Sequence, residues 1–173
     1  FPCTPRGIAG EISHFFAGLT SVYTARFAAW ITINYTLVKG MSYLGILYVQ
    51  LPYFKGLGLT GAQYQKLMNI SLMAWSLKPA FGVLSDTVPI LGYHKRYYVV
   101  LCCILGPAAV ACVNLLPRDP SAGNAAGALF FLLMMSVATV DLLGEGKYSS
   151  ILAKDKTGHG PSMVTWVWMC YGT

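Results

Sequence analysis

Long apolar segments are the feature that most restricts how this chain folds. The clearest one runs YYVVLCCILGPAAVACVNLL over residues 97–116 and is apolar around its whole circumference. A helix of a soluble bundle keeps a polar face opposite its apolar stripe. Gly106 and Pro107 lie inside the segment, and both residue types are tolerated more readily in membrane helices than in soluble ones. We therefore expect this segment to cross a bilayer as a helix.

The composition supports the same conclusion for the whole chain. Of its 173 residues, 55% are hydrophobic and only 10% are charged, whereas a soluble domain carries about 25% charged residues. The net charge of +6 does not indicate a nucleic-acid-binding protein, because the basic residues are scattered and form no block or basic face. The fold class predicted is an all-α polytopic membrane protein.

Segment lengths predict four complete spans and the start of a fifth, since about 20 mainly apolar residues cross the hydrocarbon core. Short stretches rich in Gly and Pro separate them. The predicted spans are residues 27–50, 66–84, 97–116, 124–146 and 161–173, the last cut short. Residues 1–26 are predicted to form a cytoplasmic or interfacial segment.

The distribution of basic residues predicts the orientation, because cytoplasmic loops are enriched in Lys and Arg. With the N-terminus inside, the inner side carries Arg6, Arg26, Lys95, Arg96, Lys154 and Lys156, and the outer side carries Lys55, Lys66 and Arg118. The excess on the inner side predicts a cytoplasmic N-terminus.

Ionisable residues inside the predicted spans are the strongest functional signal, because each costs a few kcal/mol to insert. They are Lys39, Lys78, Asp141 and Glu145. Asp141 and Glu145 are four residues apart and share a helix face, so either a cation lies between them or one is protonated. Two interpretations stay open. The carboxylates with a lysine form a proton or substrate relay, or the ion pairs only hold helices together.

Two other polar features lie in the same spans. The Asn34 amide either hydrogen-bonds across helices or lines a polar path. Pro79 removes a backbone donor directly after Lys78 and is expected to kink the second span.

Enzymatic and metal sites are not indicated. His14, His94 and His159 are far apart in the chain, and no nucleophile or phosphate-loop motif is present. The five cysteines match no metal or redox spacing. We expect no cofactor, no metal and no enzymatic activity.

The loop between the second and third spans carries a charged pattern. Gly82 allows close helix approach, Asp86 ends the second helix, Gly92 makes a turn, and Lys95 with Arg96 offers counter-charges. These five residues are predicted to form a conformational latch, a set of contacts that forms in one state and breaks in another. The alternative is that the basic loop only signals topology.

This loop resembles the motif between helices two and three of the major facilitator superfamily, with a longer stretch from Asp86 to Gly92. Within that superfamily the chain resembles the folate–biopterin transporter family over residues 75–173. The residues that carry the resemblance are Trp75 to Pro79, Gly82, Ser85-Asp86, Pro89-Ile90, Gly92 to Arg96, Asp141, Glu145 to Tyr148, and Trp166 to Trp168.

The resemblance implies a plasma-membrane carrier of twelve to fourteen helices in two halves, working by alternating access. The cargo implied is folate or a pteridine such as biopterin, taken up with protons, and the chain would be most of the N-terminal half, partnered by the bilayer and a C-terminal half. Lys39 and Lys78 would meet the cargo's carboxylates, Trp75, Tyr35 and Tyr43 would stack on its ring, and an acidic group such as Asp141 or Glu145 would pair with the donor edge of the ring. The alternative is that these aromatic residues only pack or anchor the helices at the membrane interface. The alternatives are a carrier of the same fold for another organic solute, such as S-adenosylmethionine, and an inactive truncated product.

Overall fold

In the computed structural model, residues 5–154 and 160–172 are described, without the side chains of residues 5–9 and 21. The described part is mainly helical, with short loops between the helices, and contains no strand. Its helices are α1 (Pro5–Val22), α2 (Ala25–Ile33), a π-helix (Asn34–Tyr43), α3 (Leu44–Gly56), α4 (Gly61–Ser76), α5 (Lys78–Thr87), α6 (Arg96–Leu115), a 3-10 turn (Pro120–Ala122), α7 (Gly123–Leu152) and α8 (Gly160–Gly172). The prediction of an all-α polytopic membrane protein is confirmed. Lys156, His159, Thr173 and residues 1–4, which the sequence arguments used, lie outside the described residues.

Three helical stretches of the described part are long and apolar enough to cross a membrane. They are Gly61–Thr87, Arg96–Leu115 and Pro120–Leu152. The first predicted span, 27–50, lies in the continuous helical rod Ala25–Gly56. The rod is not one of these three stretches: a π-helical segment interrupts it, and it carries Asn34, Lys39 and Gln50.

Helix α7 is the centre of the bundle. In the most apolar 18-residue segment of Pro120–Leu152, 61% of the residues are buried, against 17% in the corresponding segment of each of the other two stretches. Helices α4, α5 and α6 and the π-helix all pack on it. Gly127 allows α4 to approach closely, because a Cβ atom there would lie only 2.7 Å from Cδ2 of Leu67 on α4. Side chains on α7 therefore face several neighbouring helices.

The second predicted span is divided where the Pro79 kink was expected. Helix α4 begins with a capping box: the Thr60 hydroxyl accepts a hydrogen bond from the Gln63 backbone N–H, and the Gln63 side chain accepts one from the Thr60 backbone N–H. It ends at Ser76, and Leu77 links it to α5. Pro79 lies in the first turn of α5, where its missing N–H costs little. Lys78 is thereby placed at the junction of two helices.

The π-helix of the rod is unusual, because π-helical geometry normally occurs as single turns. It spans ten residues, and the Ser42 hydroxyl donates a 2.8 Å hydrogen bond to the Leu37 carbonyl, five residues back. Gly40 is buried, and a Cβ atom there would lie 3.6 Å from the Tyr171 carbonyl oxygen. The small residue lets α8 pack directly on the turn that carries Lys39.

The loop between α5 and α6 makes a tight turn. Ile90 and Tyr93 exchange backbone hydrogen bonds of 3.1 and 3.0 Å, and Leu91 and Gly92 have φ of 50° and 81°. Positive φ at both central residues defines a type I′ turn. Glycine adopts this conformation without strain, whereas Leu91 does so at a cost.

The connection into α7 begins with a side-chain cap. The hydroxyl and backbone N–H of Ser121 both donate to the Asp119 carboxylate. These hydrogen bonds favour the charged form and lower the pKa of this exposed carboxyl below its ordinary value.

Candidate functional site

Four charged side chains meet between the rod, α5 and α7. Lys39 Nζ lies 2.9 Å from Glu145 Oε1 and 3.3 Å from Asp141 Oδ1. Lys78 Nζ lies 2.5 Å from Asp141 Oδ2 and 3.8 Å from Glu145 Oε2. We call this set the charge cluster. The structure therefore brings together all four of the ionisable residues that the sequence placed inside the spans.

The members of the charge cluster differ in their access to solvent. The Asp141 side chain is completely buried, the Lys39 and Lys78 side chains are 17% and 16% exposed, and Glu145 is 37% exposed. Asp141 thus contacts both lysines from inside the bundle, whereas Glu145 lies at its edge.

The formal charges of the cluster cancel. At an effective dielectric constant of about 20, two unit charges about 3 Å apart attract by about 5–6 kcal/mol. Removing each ion from water costs several kcal/mol. The attraction and the cost are of similar size, so the four residues are tolerated together but not singly.

Aromatic rings surround the two ammonium groups. Lys78 Nζ lies 4.0 Å from the ring centroid of Trp75, and Lys39 Nζ lies 5.3 Å from that of Tyr35, both within cation–π range. Trp75 also makes an edge-to-face contact with Tyr43, with centroids 4.8 Å apart. Trp75, predicted from the sequence to stack on cargo, here contacts Lys78 and Tyr43.

Asn34 lies outside the charge cluster but next to it. It is 5% exposed, and a Cβ atom on Gly144 would lie 2.6 Å from its Nδ2 atom. Among the described residues, Nδ2 has no hydrogen-bond partner. The structure therefore places this amide at the crossing of the rod and α7, against Gly144, the residue that precedes Glu145 in the chain.

A small cleft opens on the exposed side of the cluster. Its volume is about 30 Å³, and its lining comprises Tyr35, Lys39, Glu145, Tyr148, Val167, Trp168 and Tyr171. Trp168 and Tyr171 were not recognised as site residues from the sequence. Their spacing of three residues on one helix is the signal that would have placed them on a common face.

The predicted latch residues lie together at one end of the bundle. Lys95 Nζ is 3.3 Å from Asp86 Oδ1, and both side chains are well exposed. The Arg96 guanidinium lies over the Tyr93 ring at 5.6 Å. A Cβ atom on Gly146 would lie 3.6 Å from Lys95 Nζ, so the loop contacts α7 directly after Glu145.

The other two latch residues are both glycines. Gly82 faces Leu142 of α7, because a Cβ atom there would lie 3.6 Å from Leu142 Cδ2. Gly92 occupies the positive-φ position of the type I′ turn. Within residues 5–154 and 160–172, no group of three or more potential metal ligands is found.

These features define a class: a helical polytopic membrane protein with a charge-compensated cluster inside the bundle. The chain belongs to the BT1 family, whose profile matches residues 39–173. The resemblance to folate–biopterin transporters is confirmed by this match and by the relatives.

Curated relatives carry the corresponding names. A folate-biopterin transporter of Synechocystis sp. is 34% identical over 106 residues, which cover 61% of this chain and 21% of that protein. The probable folate-biopterin transporters 5 and 2 of Arabidopsis thaliana are 38% and 35% identical, over 31% of this chain and 11% of each protein. The match thus spans about a fifth or less of the relatives' length. No solved structure matches the chain.

Proposed function

We propose that the full-length protein carrying this chain transports folate or related pteridines across a membrane, and that the charge cluster lies on the transport path. Support comes from the family and from the names of its relatives. The observation that carries the proposal is the cluster itself. It joins one fully buried carboxylate to one accessible carboxylate through two lysines. Ionisable residues within a membrane bundle are functional by default.

The two carboxylates take different roles in this proposal. Asp141, buried between Lys39 and Lys78, holds the lysines in place. Glu145 is the accessible carboxylate that exchanges a proton. Protonation of Glu145 leaves the cluster with one net positive charge and releases Lys39 to bind a carboxylate of the cargo. A proton and an anionic cargo would therefore bind together, which is the coupling expected of a symporter.

The contact between Asp86 and Lys95 suits a latch because it is weak. Exposed ion pairs contribute about 0–1 kcal/mol, so the pair forms and breaks without a large barrier. In the proposed alternating-access cycle, the loop between α5 and α6 would leave α7 in one state and return to it in the other. From the distribution of basic residues, we propose that this loop and the N-terminus lie on the cytoplasmic side; the plasma membrane is the location that the resemblance implies.

The test is uptake of radiolabelled folate and biopterin at several external pH values. Cells would express the full-length protein, Glu145→Gln or Asp141→Asn, with surface levels measured. Glu11→Gln, an exposed carboxylate of α1, is the matched control. We expect uptake to rise at acid pH in the parent and control. Glu145→Gln should lose this pH dependence at normal surface levels.

Asp141→Asn should instead lower the amount of folded protein that reaches the cell surface. A Glu145→Gln variant with unchanged pH dependence would refute the assigned role. A well-expressed parent that takes up neither solute would refute the cargo.

A second cargo class fits one observation. The accessible carboxylate with four aromatic neighbours in one cleft resembles a site for an organic cation. S-adenosylmethionine is such a solute. Competition by unlabelled S-adenosylmethionine against folate uptake distinguishes the two. A catalytic role is not proposed, because the curated relatives of the chain are named as transporters.

A further inference from the structure

We propose that Trp168 and Tyr171 of α8 form the surface on which the planar ring of the cargo stacks, with the amino edge of the ring directed at Glu145. The proposal rests on the transport function above and specifies how that site recognises its substrate. We call these two residues the ring face.

The ring face, with Trp168 exposed and Tyr171 half-buried, lies beside Glu145, the accessible acid of the charge cluster. The Trp168 side chain is 62% exposed, although it lines the same cleft as Glu145. Its ring meets that of Tyr171 edge to face, with centroids 5.9 Å apart and an angle of 79°. Lys39 Nζ lies 5.7 Å from the Tyr171 ring centroid. An open aromatic surface therefore adjoins both a cation and a carboxylate.

Other aromatic residues near the cluster are already in contact with protein groups. Tyr35 is 1% exposed and packs edge to face on Tyr148. Trp75 contacts Lys78 and Tyr43. Tyr35 is therefore closed to a cargo ring and Trp75 is partly covered, whereas Trp168 offers most of its surface.

The size of the cleft determines which part of the cargo enters it. A volume of about 30 Å³ holds about one water molecule, so a whole bicyclic ring does not fit. An exocyclic amino group at the ring edge does. The ring itself would then lie on Trp168, outside the cleft.

Glu145 has acceptor capacity left for that amino group. Its Oε1 atom accepts a hydrogen bond from Lys39 at 2.9 Å. Its Oε2 atom lies 3.8 Å from Lys78 Nζ, beyond hydrogen-bonding distance. When Glu145 is protonated, as proposed for the cargo-bound state, its carbonyl oxygen still accepts a hydrogen bond from the amino group of a 2-amino heteroaromatic ring. The ligand class is therefore a planar heteroaromatic ring with a donor edge.

The test separates the ring from the rest of the cargo. Uptake of radiolabelled folate by the full-length protein would be competed with pterin, which is the bicyclic ring alone, and with p-aminobenzoylglutamate, which keeps the benzoyl-glutamate tail of folate but lacks the bicyclic heteroaromatic ring. Trp168→Leu removes the aromatic surface and Trp168→Phe keeps one. Tyr48→Leu replaces an aromatic residue of α3 that is 77% exposed and lies outside the cleft.

We expect Trp168→Leu to weaken competition by pterin by about tenfold, as stacking contributions indicate, and to leave competition by p-aminobenzoylglutamate unchanged. Trp168→Phe and Tyr48→Leu should stay close to the parent. Unchanged pterin competition in Trp168→Leu, or equal loss for both competitors, would overturn the ring face alone. A parent that takes up neither folate, biopterin nor S-adenosylmethionine would overturn the proposed function together with it.

Discussion

Removing Lys78 or the fully buried Asp141 alone should destabilise the bundle far more than removing both together. Lys78→Met leaves the fully buried Asp141 with Lys39 alone, and Asp141→Asn leaves both lysines with only Glu145. Each single substitution leaves one uncompensated charge inside the bundle. Removing one partner of a buried ion pair lowers the free energy of unfolding by about 3–5 kcal/mol.

The double variant restores neutrality and keeps the 2.9 Å contact between Lys39 and Glu145. The free energy of unfolding of the double variant should fall by only about 1–2 kcal/mol, since the attraction within a buried ion pair is nearly offset by the cost of its desolvation. The losses in free energy of unfolding of the two single variants then add up to about 4 kcal/mol or more above the loss of the double variant. Independent sites deviate from additivity by only about 0.5 kcal/mol.

The assay is reversible unfolding of the purified full-length protein in mixed micelles, followed by circular dichroism over a series of denaturing-detergent concentrations. Lys66→Met, on the exposed side of α4, is the control for loss of a lysine. Additive losses in the double variant would show that Lys78 and Asp141 do not interact energetically, and would refute the argument from charge compensation.

Three further outcomes follow from individual positions. Gly144→Ala should lower the free energy of unfolding by about 1–3 kcal/mol, because its Cβ atom would lie 2.6 Å from Asn34 Nδ2. The control Gly45→Ala adds a Cβ atom that meets nothing within 4 Å and should be neutral or stabilising. Equal effects of the two substitutions in the same unfolding assay would contradict this. Leu91→Gly should raise the free energy of unfolding by up to about 1 kcal/mol by relieving a positive φ, and a loss in that assay would argue against strain. Residues 1–173 expressed alone should show no folate uptake, because the chain matches only about a fifth of a transporter relative and the two-half pathway implied by the resemblance would be incomplete; saturable uptake would be the contrary result.

The membrane fold was predictable because segment length and apolar composition are local properties of the sequence. The four members of the charge cluster were also recognisable, since a charge within an apolar span needs a partner. Which lysine meets which carboxylate was not predictable. That pairing depends on how the rod and α5 are rotated about their axes. The rotation follows from the π-helix and from the break at Leu77.

The ring face escaped sequence analysis for a different reason. Trp168 lies in an apolar helix in which any aromatic residue reads as packing or as membrane-interface anchoring. Only the packing of α8 against the rod at Gly40 places it beside Glu145. Asn34 was noticed as a polar residue, but its position against Gly144 depends on the same helix crossing.

The ten-residue π-helix has a consequence for comparing this chain with its relatives. A π-helical turn holds more residues than the 3.6 of an α-helical turn, so a relative that lacks one residue between Asn34 and Tyr43 can keep an unbroken helix there. In an alignment, such a one-residue gap would look like a trivial deletion within a span. We expect it to mark a turn that has reverted to α-helix, and with it a lysine that has rotated away from Asp141.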